Sequence, residues 1–160
     1  MSQGGRFKIA FAAVALAVST MPDAIAATCE DLAALDIPYA TITVAQSVPA
    51  GSFQPPTGNP IADLPAFCRV ALTMAPSADS SIRVEVWMPT SAWTGRFQGL
   101  GCGGYCSTLN YGALGNALRA RNATAHTDMG TALPPVPGGA GLGLVGHPEK
   151  WLDFGSNSWS

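Results

Sequence analysis

Residues 98 to 128 run in an order that restricts the fold more than anything else in the chain. Gln98 to Gly101 reads as a short strand led in by Trp93-Thr94-Gly95-Arg96-Phe97. Gly101-Cys102-Gly103-Gly104-Tyr105-Cys106 is a glycine-dense loop, and Gly112 to Arg121 has helical character through Leu114, Ala117 and Leu118. Ala123 to Thr127 is a second strand, ending at Asp128. Strand, loop, helix and strand in that order make a βαβ unit, whose two strands lie parallel in one sheet.

The chain before this unit is strand-rich. Cys29 to Leu35 reads as a short helix with Leu32 and Leu35 on one side, stopped by Pro38. Ala40 to Val48 alternates β-branched with small residues and predicts a strand. Pro49 to Pro60 is expected to be a loop, and Arg69 to Met74 a second strand. After a polar turn at Ser77 to Ser81, Ile82, Val84, Val86 and Met88 point one way and Arg83, Glu85 and Trp87 the other. That alternation predicts a half-buried antiparallel strand. Beyond the βαβ unit, Pro134 to Gly143 is a loop, and His147-Pro148-Glu149-Lys150 opens a helix including Trp151, Leu152 and Phe154. The class is α/β: antiparallel strands leading into the start of a βαβ layer, an incomplete architecture because its sheet has too few strands.

The first 26 residues stand apart. Arg6 and Lys8 precede the apolar run Ile9 to Val18, Pro22 breaks it, and Ala24-Ile25-Ala26 gives a small-x-small pattern. This predicts a signal peptide cleaved before Ala27, with 27–160 as the mature domain and a secreted or periplasmic location. The run is shorter than a membrane span needs. Apolar residues make up 48% of the chain and charged residues 11%, with a net charge of -2. Such a chain is neither disordered nor built for nucleic acid or an anionic membrane. Export makes disulfides the natural fate of Cys29, Cys68, Cys102 and Cys106, among which three connectivities are open and Cys29–Cys68 with Cys102–Cys106 is the simplest. The spacings do not match zinc-ligand patterns, and no cofactor is indicated.

The Gly101–Cys106 loop is the foremost chemical candidate. Glycines let backbone N–H groups approach a ligand, and after a strand such a loop can aim them at a developing oxyanion; a tight turn is the plainer alternative. No G-x-S-x-G elbow occurs, and Ser107 has no assignable base. His126 is expected to be structural or solvent-facing, and His147 to cap a helix or bond the backbone. Asp128 stands where hydrolase sites gather, but serves equally as a turn residue bonding the Gly130 backbone. Asn122-Ala123-Thr124 matches a glycosylation acceptor but overlaps a buried strand.

Several segments share one further property. Cys29-Glu30-Asp31-Leu32, Val48-Pro49-Ala50-Gly51-Ser52-Phe53, Leu64-Pro65-Ala66-Phe67-Cys68-Arg69-Val70, Ile82 to Pro89, Trp93 to Phe97, Gly101-Cys102-Gly103-Gly104, Thr127-Asp128-Met129-Gly130 and Gly146 to Lys150 with Asp153-Phe154-Gly155 follow one another in order. This series resembles the tannase/feruloyl esterase family across nearly the whole mature chain. The resemblance implies an α/β-hydrolase core and a secreted serine esterase acting on small aromatic (phenolic) acid esters. It implies a Cys29–Cys68 disulfide and makes Gly104 the glycine whose N–H forms half of the oxyanion hole. Cys102 and Cys106 occur in only some members, where a local bridge would stiffen the loop. Thr131 stands where the family often has His. The family's Gly-Cys-Ser elbow, lid, and catalytic Asp and His come downstream of the Asp-Phe-Gly segment, so the expectation is an N-terminal portion, inactive alone. The other readings are a non-catalytic binding module using Trp87, Trp93 and Tyr105, or a degenerate remnant.

Overall fold

The computed structural model describes residues 27–101, 104, 105, 107–132 and 144–157. Residues 1–26, expected to be a signal peptide, Cys102, Gly103, Cys106 and the whole Pro134–Gly143 stretch lie outside them.

A 3-10 turn at Glu30–Ala34 precedes strand β1 (Ala40–Val48). Strands β2 (Gly51–Phe53), β3 (Ile61–Leu64), β4 (Phe67–Met74), β5 (Ile82–Pro89) and β6 (Phe97–Leu100) follow, then helix α1 (Tyr111–Arg119), strand β7 (Ala123–Thr127) and helix α2 (Pro148–Leu152). Five strands form one sheet in the order β1-β4-β5-β7-β6, and β2 and β3 pair separately. The pairs β1–β4, β4–β5 and β5–β7 are antiparallel, whereas β6 and β7 run parallel, joined through α1. The expected antiparallel strands leading into a βαβ unit are thus present.

The Pro49–Pro60 loop is shorter than expected. Gly51 pairs with Leu64 and Phe53 with Ile61, so the loop proper spans residues 54–60. Proline and glycine on either side hide a three-residue strand, too short for a period of two to register. This small ribbon matters because Phe53 and Leu64 enter the core with Val48, Phe67, Trp87, Tyr111, Leu114 and Leu118. Phe53 meets Phe67 and Trp87 edge-on, at centroid distances of 5.6 and 5.3 Å.

On β5 the charged face is the one that lies under α1. Trp87 is fully buried and Glu85 nearly so, while Val84, Val86 and Met88 are half-buried. Glu85 is tolerated there because its carboxylate is paired: Arg69 Nε donates to Oε2 at 3.0 Å, Trp87 Nε1 donates to the same oxygen at 3.0 Å, and Tyr111 Oη donates to Oε1 at 3.3 Å. A second Arg69 nitrogen bonds Oε1, and the guanidinium lies 5.5 Å from the Phe53 ring centroid. A buried charge satisfied on this scale is held rather than expelled. Burial, and next the Glu85 charge, push the Tyr111 phenol up to about 12, so it stays a donor.

Candidate active site

β6 and β7 point the same way, so both end at one edge of the sheet, and loops outside the carboxyl ends of parallel strands are where α/β folds bind ligands. Three segments meet there: the described residues between Gly101 and Asn110, the turn Asp128–Thr131 after β7, and α2 with the π-helical turn Asp153–Asn157.

Gly104 is exposed and has φ +64, a conformation suited to glycine; a Cβ there would meet nothing within 4 Å among the described residues. Its Cα side is therefore open to an approaching ligand. Tyr105 turns back against Phe154 (centroids 5.2 Å) and Trp151 (6.2 Å), which joins the loop to the α2 region. The loop ends at Asn110, whose Oδ1 accepts from the Ala113 amide at 3.0 Å and caps α1.

Asp128 is completely buried, and its carboxylate serves the turn, one of the two roles the sequence allows. Oδ1 accepts from the Gly130 amide (3.0 Å) and the Arg83 amide (2.9 Å), and Oδ2 from Arg83 Nε (2.6 Å). Met129, at φ +57, is supported by the Thr127 hydroxyl, which accepts its amide at 3.0 Å, and Thr131 Oγ1 donates to the Asp128 carbonyl at 3.1 Å. Arg83 continues outward, and one of its terminal nitrogens donates to the Ser107 carbonyl at 3.3 Å. Sequence reasoning put Arg83 on one face of the strand with Glu85 and Trp87 and gave it no role. Its position two residues from Glu85 on the strand's charged side was the available signal.

His126 sits on β7 opposite Glu85 and Leu100 and is 3% exposed, so of its two expected states the buried one holds. Its Nδ1 has no hydrogen-bond partner among the described residues. Burial holds its pKa below the usual histidine value, opposed in smaller measure by the Thr127 backbone and the Asp128 carboxylate. Asp128 does not orient His126, because both carboxylate oxygens are committed to Arg83 and Gly130. His147 does sit at the start of α2, but its side chain makes no cap bond; Nδ1 lies 2.8 Å from Asp79 Oδ2 in the β4–β5 turn. Ser107, His126, Asp128 and His147 are not assembled into a nucleophile–base–carboxylate chain. Of the aromatics considered for a binding face, Trp87 is core, whereas Trp93 and Tyr105 are exposed. Thr124, in the glycosylation-like triplet, is fully buried. Cys29 and Cys68 form a disulfide, with Cα atoms 5.5 Å apart.

The model of the family described as tannase and feruloyl esterase matches residues 68–160. The chain belongs to this family. The matched stretch begins at the disulfide cysteine of β4 and takes in the glycine loop, Asp128 and α2. A Xanthomonas campestris protein described as an uncharacterized esterase is 41% identical over 133 residues, which cover 81% of this chain and 22% of that protein. A probable feruloyl esterase B-1 of Aspergillus oryzae is 36% identical over 72 residues, 45% of this chain and 13% of the relative. Among solved structures, feruloyl esterase B from Aspergillus oryzae superposes with a TM-score of 0.68 at 31% identity, covering 79% of this chain and 25% of that one. A second esterase from Aspergillus oryzae gives 0.67 at 27% identity, over the same shares. The tannase/feruloyl esterase chain described here thus spans about a quarter or less of the length of these relatives.

Proposed function

We propose that this chain is the N-terminal portion of a secreted carboxylic ester hydrolase acting on aromatic acid esters, and that its contribution to catalysis is the backbone N–H of Gly104. The observation that carries the reading is the state of Gly104: exposed, at φ +64, with open space on its Cα side. It lies at the carboxyl edge of a parallel strand pair, within the stretch that the family model matches. A donor fixed at such an edge stabilises the oxygen that becomes negative when an ester carbonyl turns tetrahedral. The reaction is acyl transfer. A serine attacks the ester carbonyl and the alcohol leaves with the proton that a histidine took from the serine; water then releases the acid and restores the serine. None of residues 1–160 is assigned as that serine or histidine, so the 160-residue chain alone is expected to be inactive.

Secretion is supported by the pattern of the first 26 residues and by the Cys29–Cys68 disulfide, which suits an oxidising compartment. Several relatives are described as probable feruloyl esterases and one structural neighbour is feruloyl esterase B, which favours a phenolic acid ester as substrate. The test is an intact mass of the native protein, reduced and unreduced, joined to an assay on methyl ferulate and methyl gallate. A mass well above 16.4 kDa with hydrolysis of either ester supports the reading. A mass no greater than that of this chain, or a heavier protein inert toward both esters, overturns it.

A further inference from the structure

We propose that Arg83 is the positioning residue of the loop that carries Gly104, and that Asp128 is buried to aim it. Arg83 and Asp128 are locked together by three contacts, and a neighbour supports the carboxylate. Asp128 N donates to Arg83 O at 3.1 Å, Arg83 N to Asp128 Oδ1 at 2.9 Å, and Arg83 Nε to Oδ2 at 2.6 Å. The Gly130 amide donates to the same Oδ1 at 3.0 Å and keeps the carboxylate from turning. With Nε fixed, the planar guanidinium can present its outer nitrogens in few directions. One of them reaches the Ser107 carbonyl at 3.3 Å, three residues beyond Gly104. The side chain is 49% exposed, so the guanidinium is not there to fill the core.

The loop has a second tie beside this one, the packing of Tyr105 on Phe154 and Trp151; Arg83 is the polar one, at Ser107. Capping of α1 begins only at Asn110. Arg83 therefore links two strands, β5 and β7, to the loop through a single side chain. A lysine has one ammonium on a flexible stem and cannot hold the carboxylate and the carbonyl in the same fork geometry. The consequence for catalysis rests on the oxyanion reading of Gly104, but the tether itself does not.

The test is the backbone 15N order parameter of each amide in the full 160-residue chain, comparing the unmodified protein with Arg83→Gln, Arg83→Lys and Asp128→Asn. Arg83→Gln is expected to lower the order parameters of Gly104 and of residues 107–110 to those of a flexible backbone, below about 0.6, while those of 123–127 stay as before. Asp128→Asn is expected to loosen the same loop, and Arg83→Lys to recover part of the order. Overturning results are a loop already flexible in the unmodified protein, equal order parameters in Arg83→Gln, a fall spread evenly over β5, β7 and the loop, or no recovery with lysine. Loop loosening in this chain, together with a native protein well above 16.4 kDa that hydrolyses no ester, removes the functional reading and leaves the tether. An unchanged loop in an active esterase does the reverse.

Discussion

His126 enters the core with a ring nitrogen, Nδ1, that has no partner among the described residues, in a strand whose neighbours supply Glu85 on one side and Leu100 on the other. Burial makes the charged ring unfavourable, so the folded-state pKa lies below the ordinary 6.5. The unfolded chain takes up this proton first as pH falls. The contribution of His126 to stability is therefore complete above the unfolded pKa and is lost as pH drops toward the folded one. Urea unfolding at about pH 7.5 and about pH 5.5 is expected to show a loss of stability on acidification that is smaller in His126→Asn than in the unmodified chain. Equal losses in both would contradict this. The burial of His126 was not legible in the sequence, because strand alternation leaves open which face a second layer covers. The Asp128–Gly130 bond was legible, since an aspartate two residues before a glycine is a local turn signal.

At the scale of elements, β5 shows where pattern reading stops. Its period of two is plain in the sequence, and the strand, its antiparallel pairing and nearly its bounds follow from it. Yet the face with Arg83, Glu85 and Trp87 meets α1, because Trp87 supplies the largest apolar surface on the strand and Arg69 of β4 neutralises Glu85. A charge partner on another strand is invisible in a local window. Glu85→Gln leaves the Arg69 guanidinium, 8% exposed, without its counter-charge. Removing one partner of a buried pair costs about 3 kcal/mol or more, and denaturant unfolding is expected to show a loss of that order. A change within about 0.5 kcal/mol would mean that the pair is solvated. The ribbon of β2 and β3 was missed for a related reason. Its strands are short, and they exist because Phe53 and Leu64 pack on a core assembled from distant residues.

Across the whole molecule, the Cys29–Cys68 bridge ties the N-terminal turn to β4 across 39 residues. Closing a loop of that length removes unfolded-state entropy worth about 4 kcal/mol in the chain-entropy description. Cys29→Ser is therefore expected to lower stability by about 2–4 kcal/mol, measured by denaturant unfolding under non-reducing conditions. An unchanged midpoint would mean that the bridge constrains nothing the unfolded chain would otherwise lose. The order of the main-sheet strands and α1, the parallel pair and the loop between its strands were legible because each depends on local sequence. The Arg83–Asp128–Ser107 connection was not, because it joins three segments that only the folded sheet brings together.

The account turns on the Gly104 N–H being presented to an ester oxygen. The direct measurement is the amide resonance of Gly104 in the 160-residue chain, titrated with methyl phenylphosphonate as a tetrahedral anion. The account predicts that the Gly104 N–H proton moves downfield, and by more than any amide of β1, β4 or β5. A Gly104 resonance that stays still, or shifts spread evenly over the sheet, would contradict it.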